Sequence, residues 1–540
     1  MRVPEDPAVR PFPGRHVFGH APNMDTPRSL PEVTASSQGG TGAARADRAM
    51  VVETHMSVLF FYGEHVLKVR RPASYGFVDF TDPDRRRADC DREVELNRRL
   101  SPDVYLGTAT ISLGDEVLEH GVLMRRLPAD RNLERLVRRR EPVDTELREV
   151  ARALARLHEH AARSATIDAS ATAEALWQRW QATEESLSRF VGSFFDGTAY
   201  RELTARARRY LDGRRELFEE RIQRGAVCDG HGDLQASDIF CLADGPRILD
   251  CLEFDDELRY GDVLADAAFL AFDLERLGAA ELADAFLADY GRESGVEQPP
   301  SLVHFYVATR AHVRLLVACL RLELGLDQDR SEPERLVRLA GAHLEKALPR
   351  MVLVGGPPGS GKTTLAEWLG QRLDAEVLST DHLRAEGRVE GQGEGRVEGH
   401  GVGEREPAGS PEDRYSEAAR AAVYDSMLER ARVHLHKGRS VVLDATWQTV
   451  TLRRMAAAVA RETSADQVEL RCDAPRAHRR ARVVARLQRG GSESEATAEV
   501  AETLAAEEEP WPTATLVDTS GTVEEARSAA ARALGLVRAA

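Results

Sequence analysis

The apolar positions of residues 50–125 fall in short runs separated by turn residues, a pattern typical of strands. The runs that predict strands are 58–62, 66–69, 108–113 and 117–124. Between the second and third runs, Asp82 and Pro83 form the N-cap and first-turn pair of a helix, predicted to run to about residue 100. This part of the chain is therefore predicted to be a small strand-rich lobe with one long helix.

A helical pattern follows Pro128. Apolar residues at the spacing of one helix face are Leu147, Val150, Ala151, Leu154 and Leu157. Longer periodic segments predict helices over 171–190, 198–224, 259–290 and 301–346. A strand-and-loop region, residues 227–254, interrupts these helices. The sequence thus predicts an α+β arrangement for the first part of the chain.

The C-terminal part alternates between strand-like and helix-like segments. The predicted strands are 351–354, 376–378, 441–443, 467–471 and 513–517. Strands that alternate with helices imply a parallel sheet covered on both faces, because each crossover places a helix against the sheet. The fold class predicted for this part is α/β.

The length of 540 residues exceeds what one core usually supports, so we expect two or three domains. Residues 1–46 lack periodicity and are predicted to be a disordered extension or an over-extended start, with Met24 and Met50 as later candidate starts. The predicted domains are 47–349 and 350–540. Within the second, residues 386–411 contain E-G-R-V-E-G twice and are predicted to be a flexible Gly- and Glu-rich insertion.

Composition narrows the classes of function. A net charge of −16 argues against general nucleic-acid binding. The six cysteines form no C-x-x-C pair, which favours reduced thiols in a cytoplasm. The sequence contains no apolar run of membrane-spanning length, so we expect a cytoplasmic protein without a membrane partner. Nothing in the composition predicts an oligomeric state.

Residues 356–363 read G-P-P-G-S-G-K-T and fit the phosphate-binding pattern G-x-x-x-x-G-K-[ST]. A predicted strand precedes them and a helix follows, so backbone N–H groups and a helix N-terminus converge on the nucleotide phosphates. Lys362 is predicted to reach the β- and γ-phosphates, and the Thr363 hydroxyl to hold Mg²⁺. The predicted nucleotide-binding residues are Gly356, Gly359, Ser360, Gly361, Lys362, Thr363 and Thr364.

A second group of polar residues lies in the interrupting region. It reads H-G-D-L at 231–234, then Asp238, and I-L-D ending at Asp250. Phosphoryl transfer needs one carboxylate near the nucleophile and another on the metal, and a loop between two strands can place both on one rim of a cleft.

Here the sequence resembles the aminoglycoside phosphotransferase group of the protein-kinase-like fold, whose loop reads H-G-D-L-H-x-x-N and is followed by an I-D aspartate. The resemblance implies that Asp233 orients or deprotonates the acceptor hydroxyl and that Asp250 holds Mg²⁺. Asp238 stands where the family has a metal-binding asparagine. Its carboxylate can still ligate Mg²⁺, but it adds negative charge beside Asp250 and the phosphates.

A kinase-like site also needs a strand lysine on the phosphates and a helix glutamate that orients it. Lys68 is the only lysine in the first 345 residues. Glu93 lies among apolar helix residues and is predicted to face inward, whereas the competing Glu95 is predicted to face solvent. Residues 53–57, E-T-H-M-S, would replace the glycine-rich loop, and residues 123–128 would form the hinge between the lobes.

Acidic residues also follow strands of the predicted parallel sheet. Asp444 ends the run V-V-L-D, where the Mg²⁺ shell of such domains is usually found. Asp381 begins a D-x-x-R sequence similar to the acceptor-binding one of gluconate-kinase-like and polynucleotide-kinase-like P-loop proteins. Arg482 and Arg486 are candidates for a lid that neutralises the transferring phosphoryl group, and a solvated arginine-rich face is the alternative.

Taken together, these stretches resemble the bacterial family of bifunctional aminoglycoside phosphotransferase/ATP-binding proteins over roughly residues 50–530. The matching segments include K-V-R-R-P, N-R-R-L-S-P-D-V-Y-L-G and D-C-L-E-F-D-D-E-L-R-Y-G-D. The resemblance implies a protein-kinase-like bilobal domain followed by a P-loop NTPase domain, with ATP and Mg²⁺ as cofactors. The predicted function is phosphorylation of small-molecule acceptors. The alternatives are a nucleotide-sensing regulatory ATPase with one inactive module and a P-loop module that acts as a polynucleotide kinase.

Overall fold

The computed structural model describes residues 50–536, apart from residues 55, 75–78, 114, 394–416, 490–505 and 507. The described residues form two compact units. The first contains the residues up to Ile167 and those from Cys228 to Gly295, and the second contains Asp168–Val227 and the residues from Val296 onward. The predicted extension over residues 1–46 lies outside the described residues.

The described residues form the following strands and helices. The strands are β1 (Met50–Glu53), β2 (Ser57–Tyr62), β3 (His65–Arg70), β4 (Tyr105–Leu113), β5 (Glu116–Arg125), β6 (Val227–Asp229), β7 (Ile239–Leu242), β8 (Gly245–Ile248), β9 (Tyr260–Asp262), β10 (Arg350–Gly355), β11 (Glu376–Ser379), β12 (Val441–Asp444), β13 (Asp466–Asp473) and β14 (Thr515–Asp518). The helices are α1 (Pro83–Asn97), α2 (Leu133–Arg138), α3 (Asp144–His160), α4 (Ala165–Ala169), α5 (Ala173–Leu187), α6 (Gly197–Gly213), α7 (Arg215–Gln223), α8 (Val263–Arg276), α9 (Ala280–Ser294), α10 (Pro300–Glu323), α11 (Glu332–Ala347), α12 (Lys362–Leu373), α13 (Thr380–Gly393), α14 (Glu417–His436), α15 (Val450–Glu462), α16 (Arg476–Arg489) and α17 (Val523–Ala533).

In the first unit, β1 to β5 form an antiparallel sheet in the order β1-β2-β3-β5-β4. The predicted hairpin is confirmed as β2 and β3, with Phe61 opposite Val66. Asp82 caps α1 by accepting a hydrogen bond from the Asp84 N–H at 3.0 Å, as its position before Pro83 indicated. The buried face of α1 packs with Tyr105 and Val122 of the sheet, so the helix holds its inward residues against β4 and β5.

In the second unit, β10 to β14 form a parallel sheet in the order β11-β12-β10-β13-β14, and the prediction of a parallel sheet is confirmed. Successive residues of the central strand β10 point to opposite faces. Met351 and Leu353 pack with residues of α14 and α15, whereas Val352 and Val354 pack with residues of α12 and α17. Both faces are covered, which explains why the predicted strands read as continuous apolar runs.

The second unit also contains α5, α6, α7, α10 and α11, which come before the predicted boundary between residues 349 and 350. These helices pack closely on the part that carries the parallel sheet. Arg214, which follows α6, is fully buried and donates hydrogen bonds to the carbonyl oxygens of Gly213 and Thr463. On the rim of this contact, Arg209 pairs with Asp466 at 2.8 Å. The domain boundary itself stays a prediction.

Gly213 is expected to be required at this contact. A Cβ built on Gly213 would lie 2.3 Å from the Thr463 carbonyl oxygen, whereas one built on Gly341, inside α11, has nothing within 4 Å. Gly213→Ala should therefore lower the free energy of unfolding by about 1–3 kcal/mol through overpacking. The matched variant Gly341→Ala should leave it unchanged or raise it by about 0.5–1 kcal/mol. Denaturant unfolding of both full-length variants checks this, and equal stabilities would show that the contact is not maintained in solution.

The predicted insertion begins inside a helix. Glu386 pairs with Arg430 of α14 at 2.8 Å and with His382 at 3.1 Å, and α13 continues to Gly393. The rest of the predicted insertion, from residue 394 onward, lies outside the described residues. Within the described part of the chain, every helix is too short or too polar to cross a membrane.

Candidate active sites

The first candidate site brings together three residues that are far apart in the sequence. Lys68 Nζ lies 2.9 Å from Glu93 Oε1 and 2.6 Å from Asp250 Oδ1. Strand β3 fixes Lys68 between its neighbours β2 and β5, and α1 supplies Glu93. Glu93 is fully buried, whereas Glu95 is exposed. Burial acts in the opposite direction, but the charges of Asp250 and Glu93 raise the pKa of Lys68, which therefore carries its positive charge.

Helix α8 holds the loop that carries Asp233 through hydrogen bonds to the backbone of the loop. Asp266 accepts hydrogen bonds from the N–H groups of His231 at 2.6 Å and Gly232 at 2.9 Å, and Asp273 accepts one from the Ala236 N–H at 2.9 Å. Asp266 and Asp273 lie about two turns apart and thus on one face of α8. The sequence did not predict a role for these two carboxylates, because their partners are backbone groups more than thirty residues away.

Asp266 is itself held in its charged form. His158 Nε2 lies 3.1 Å from Asp266 Oδ2 and contacts the Tyr290 hydroxyl through its other ring nitrogen. Burial works against ionisation, but the hydrogen bonds from His158 and the His231 N–H hold the pKa of Asp266 below its usual range. A charged Asp266 is the stronger acceptor, so it fixes the backbone that places Asp233.

Asp233 and Asp238 lie on this loop near Asp250. Asp233 Oδ2 accepts a hydrogen bond from Gln235 Nε2 at 2.7 Å. Burial first, and then the charges of Asp250 and Asp233, raise the pKa of Asp238 well above its usual value. In contrast, Lys68 lowers the pKa of Asp250. The backbone of Asp250 has φ +62°, a strained value for a residue with a side chain. The three carboxylates thus share one electrostatic environment.

The carboxylates of Asp238 and Asp250 fit the oxygen chemistry of Mg²⁺. In kinases this ion uses one or two carboxylates together with the phosphates of the nucleotide. Among the described residues, no group of three or more His, Cys, Asp or Glu side chains has a metal-binding arrangement.

Asp238→Asn is expected to change the pH dependence of stability. Because burial and the neighbouring carboxylates raise the pKa of Asp238 in the folded protein, the native state keeps a proton that the unfolded chain releases at about pH 4. The stability of the metal-free wild type should therefore decrease as the pH rises from about 4 toward the folded-state pKa. Asp238→Asn has no carboxyl group at this position and lacks this pH-dependent loss of stability. Its melting temperature should therefore rise relative to that of the wild type as the pH increases. Thermal unfolding in a chelator checks this, and parallel curves for the two proteins would contradict it.

The second candidate site is the phosphate loop between β10 and α12. Gly356, Gly359 and Gly361 have φ of +133°, +81° and +85°, which disfavour a side chain. A Cβ on Gly359 would lie 2.5 Å from the Arg479 carbonyl oxygen, so the loop also lacks space for one. Lys362 is the first residue of α12, whose N-terminus faces the loop. Of the remaining predicted residues, Ser360 lies within the loop, and Thr363 and Thr364 are the second and third residues of α12.

Asp444 lies at the carboxyl end of β12 and is buried. Burial raises its pKa, while the Lys362 charge and a hydrogen bond to Thr363 act in the opposite direction. Among the described residues, its Oδ1 atom has no hydrogen-bond partner. A buried carboxylate oxygen without a partner, beside a P-loop threonine, fits a Mg²⁺ ion with its water shell.

Asp381 and Arg384 lie beside this carboxylate. Asp381 follows β11, the neighbour of β12, and pairs with Arg384 at 2.9 Å. The Tyr424 hydroxyl lies 3.1 Å from Thr446 Oγ1, and the Thr446 carbonyl oxygen accepts a hydrogen bond from the first loop glycine, Gly356. The carboxyl edge of the sheet thus carries a charged pair and two hydroxyl groups next to the phosphate loop.

Helix α16 supplies the predicted lid arginines. Arg482 donates hydrogen bonds to the carbonyl oxygens of Thr519 at 2.6 Å and Gly359 at 3.3 Å, so it lies at the phosphate loop. Arg486 lies about one turn further along the same helix and is partly buried. Residues 490–505, which follow α16, lie outside the described residues.

The sequence also did not predict Arg70 as a residue of the site. It lies two residues after Lys68 on β3 and is almost fully buried among Ser57, Asp89, Glu93 and Glu253. The sequence signal was the short segment K-V-R, in which two cations share one side of a strand. The predicted residues Lys68, Glu93 and Asp250 are brought together, and Arg70 and Glu253 join them.

Family comparisons place two domains on the chain. The sequence model of the phosphotransferase enzyme family matches residues 67–302, and that of an AAA domain matches residues 351–510. A choline/ethanolamine kinase family protein from Mesorhizobium loti is 14% identical and has a TM-score of 0.37, covering 56% of this chain and 90% of that chain. The APS kinase of Mycobacterium tuberculosis is 19% identical and has a TM-score of 0.25, covering 35% of this chain and 98% of that chain.

Relatives of nearly full length occur in mycobacteria. Proteins of Mycobacterium bovis and Mycobacterium tuberculosis, both described as uncharacterised, are 39% identical to this chain over 474 residues. The match covers 87% of this chain and 92% of each relative. A match of this length includes residues of both matched domains.

Proposed function

This chain belongs to the family of these mycobacterial proteins and joins a phosphotransferase domain to an AAA-type P-loop domain, and from that premise we propose that it transfers the γ-phosphate of ATP to hydroxyl groups of small-molecule acceptors. Its fold is a kinase-like domain followed by a P-loop domain with a parallel sheet, and both modules suggest phosphotransfer. Family membership does not identify the acceptor, and its hydroxyl group is therefore part of the proposal.

The observation that carries the proposal is the contact of Lys68 with both Glu93 and Asp250. A strand lysine held by a helix glutamate, next to an aspartate able to meet the metal, is the arrangement that phosphoryl transfer in kinases requires. Residues 68 and 250 are 182 positions apart, so no local pattern brings them together.

In the first module, Lys68 would bind the α- and β-phosphates, and Asp238 and Asp250 would hold Mg²⁺. The bound ion would supply neutralisation of the phosphate charge. Asp233 would orient the acceptor hydroxyl and accept its proton while the acceptor oxygen bonds to phosphorus and ADP leaves. Asp266 and Asp273 would keep the loop of Asp233 in place through their hydrogen bonds to its backbone.

In the second module, the loop glycines and the N-terminus of α12 would bind the phosphates, with Lys362 at the γ-phosphate. Thr363 and Asp444 would hold Mg²⁺, which their contact and the orphan Asp444 oxygen support. Asp381, with its partner Arg384, would hold the acceptor, and Arg482 and Arg486 would neutralise the transferring phosphoryl group.

The test is an ATP-consumption screen of the full-length protein against metabolites, aminoglycosides and a 5′-hydroxyl oligonucleotide. We expect at least one small hydroxyl compound to be phosphorylated. The variants Asp233→Asn and Lys362→Ala then assign the activity, because each should stop transfer by one module only. Phosphorylation of the oligonucleotide alone would favour a polynucleotide kinase. Nucleotide binding without any product would favour a regulatory ATPase.

A further inference from the structure

Glu93 is shared by two cations from the same strand. Lys68 and Arg70 are two residues apart on β3 and therefore point to the same face of the sheet. Lys68 Nζ contacts Glu93 Oε1 at 2.9 Å, and Arg70 Nη2 contacts Glu93 Oε2 at 2.8 Å. Both oxygens of the buried carboxylate are thus occupied, and the orientation of Glu93 depends on Arg70 as well as on Lys68.

The other Arg70 contacts join separate elements of the site. Its Nε donates to Asp89 of α1 at 2.9 Å, and its Nη1 donates to the Ser57 hydroxyl at 3.1 Å. Ser57 is the first residue of β2. Nη2 also donates to Glu253, which lies three residues after Asp250. One guanidinium group therefore connects the start of β2, helix α1 and the segment that carries Asp250.

The chemistry of this position favours arginine. A guanidinium group offers five donors in a planar fork, and Arg70 uses them on four side chains while only 4% of its surface is exposed. Loss of the group would leave the carboxyl groups of Asp89, Glu93 and Glu253 close together without their shared cation. Glu93 would then be free to turn away from Lys68.

We propose that Arg70 is a positioning residue that fixes Glu93, and through it Lys68, in the orientation that receives the nucleotide phosphates. It also ties the Asp250 segment to the same point through Glu253. In kinases, the pairing of the strand lysine with the helix glutamate is a controlled step. Here Arg70 keeps this pair assembled before the nucleotide arrives. The inference rests on the proposed function, because Lys68 acts in it as the phosphate-binding lysine.

The test measures binding of Mg·AMPPNP by calorimetry in the full-length protein. Lys362→Ala serves as the background, so that the first module's site dominates the signal. Arg70→Met should weaken binding about tenfold or more, because Lys68 loses its fixed position. Arg70→Lys keeps the charge but not the fork, and should restore binding in part.

Arg86→Met is the matched control. Arg86 lies in the same lobe, is about as buried as Arg70, and pairs with Glu119 at 2.7 Å. Its hydrogen bonds go to Glu119 and to the carbonyl oxygens of Phe80 and Thr81. The control should lower the melting temperature, as Arg70→Met does, without a comparable change in affinity. Equal affinities of Arg70→Met and Arg86→Met would overturn the proposal. If Arg70→Met does not fold, a folded Arg70→Lys with unchanged affinity would overturn it as well.

Lys68→Ala distinguishes failure of the proposed phosphate-binding role of Lys68 from failure of the proposed Arg70 role. If this variant binds Mg·AMPPNP like its background, both the proposed phosphate-binding role of Lys68 and the role of Arg70 fail. If Lys68→Ala weakens binding and the Arg70 variants do not, only the Arg70 proposal fails. Combining Arg70→Met with Lys68→Ala should cost no further affinity, because Arg70 acts through Lys68. Additive losses would instead assign Arg70 a separate structural effect.

Discussion

Asp233→Asn in the full-length protein is expected to abolish phosphoryl transfer by the first module while its affinity for Mg·ATP stays nearly unchanged. In the proposed mechanism, Asp233 acts on the acceptor hydroxyl in the transferring step, and the phosphate contacts belong to Lys68. The loss of a carboxylate that accepts the proton should reduce the rate by about 10²–10⁴-fold. The measurement is the rate of ADP formation with the acceptor found by the screen, together with a nucleotide titration.

Asp250→Asn is the comparison that makes the result specific. Asp250 contacts Lys68 at 2.6 Å and is proposed to meet the metal, so its replacement should weaken both nucleotide binding and transfer. Asp238→Asn, which restores the family residue, should leave transfer at least as fast as in the wild type. If no acceptor is phosphorylated and Asp233→Asn changes nothing measurable, the first module is not a kinase and a nucleotide sensor becomes the better interpretation.

These experiments need the full-length chain because of how the second unit is built. Helices α5, α6, α7, α10 and α11 belong to one compact unit with the parallel sheet. A cut after residue 349 would expose the fully buried Arg214 and its contact with Thr463. If a chain cut at this point lost activity, the cause could therefore be a loss of stability.

The sequence predicted the features that local patterns determine. The phosphate loop is contiguous: its glycines shape one backbone turn, and its lysine and threonine follow directly at the start of α12, so the motif alone indicates the site. The apolar runs of the parallel sheet reflect strands buried on both faces. Glu93 could be distinguished from Glu95 because Cys90 and Val94 mark the inward face of α1. In each case the information lies within one turn or one strand.

The sequence could not predict contacts that depend on tertiary packing. The bond from Arg70 to Glu253 joins residues 183 positions apart, and Asp266 acts on backbone groups that no side-chain pattern marks. In a chain so rich in arginine, neither Arg70 nor Arg214 could be distinguished from a solvated residue before its burial was known. Strand β1 was missed because all four of its residues are exposed, which removes the alternation that identifies a strand.

Lys362→Ala is expected to remove most nucleotide binding by the second module. Lys362 begins α12 directly after the loop glycines, and as the lysine of the P-loop motif it is proposed to contact the β- and γ-phosphates. Loss of a charge-assisted contact should weaken binding about 10- to 100-fold. Titration of Mg·ATP in a Lys68→Ala background measures this site.

Lys437→Ala provides the control for that experiment. Lys437 is another of the four lysines of the chain and lies in the same unit, where it is half exposed and 3.5 Å from Glu220. Because its ion pair is exposed, its removal should change neither stability nor nucleotide affinity appreciably. A folded Lys362→Ala variant that binds Mg·ATP as tightly as Lys437→Ala would mean that the loop has the geometry of a phosphate site without its function. The acceptor-binding role proposed for Asp381 and the phosphoryl-neutralising role proposed for Arg482 would then lose their basis as well.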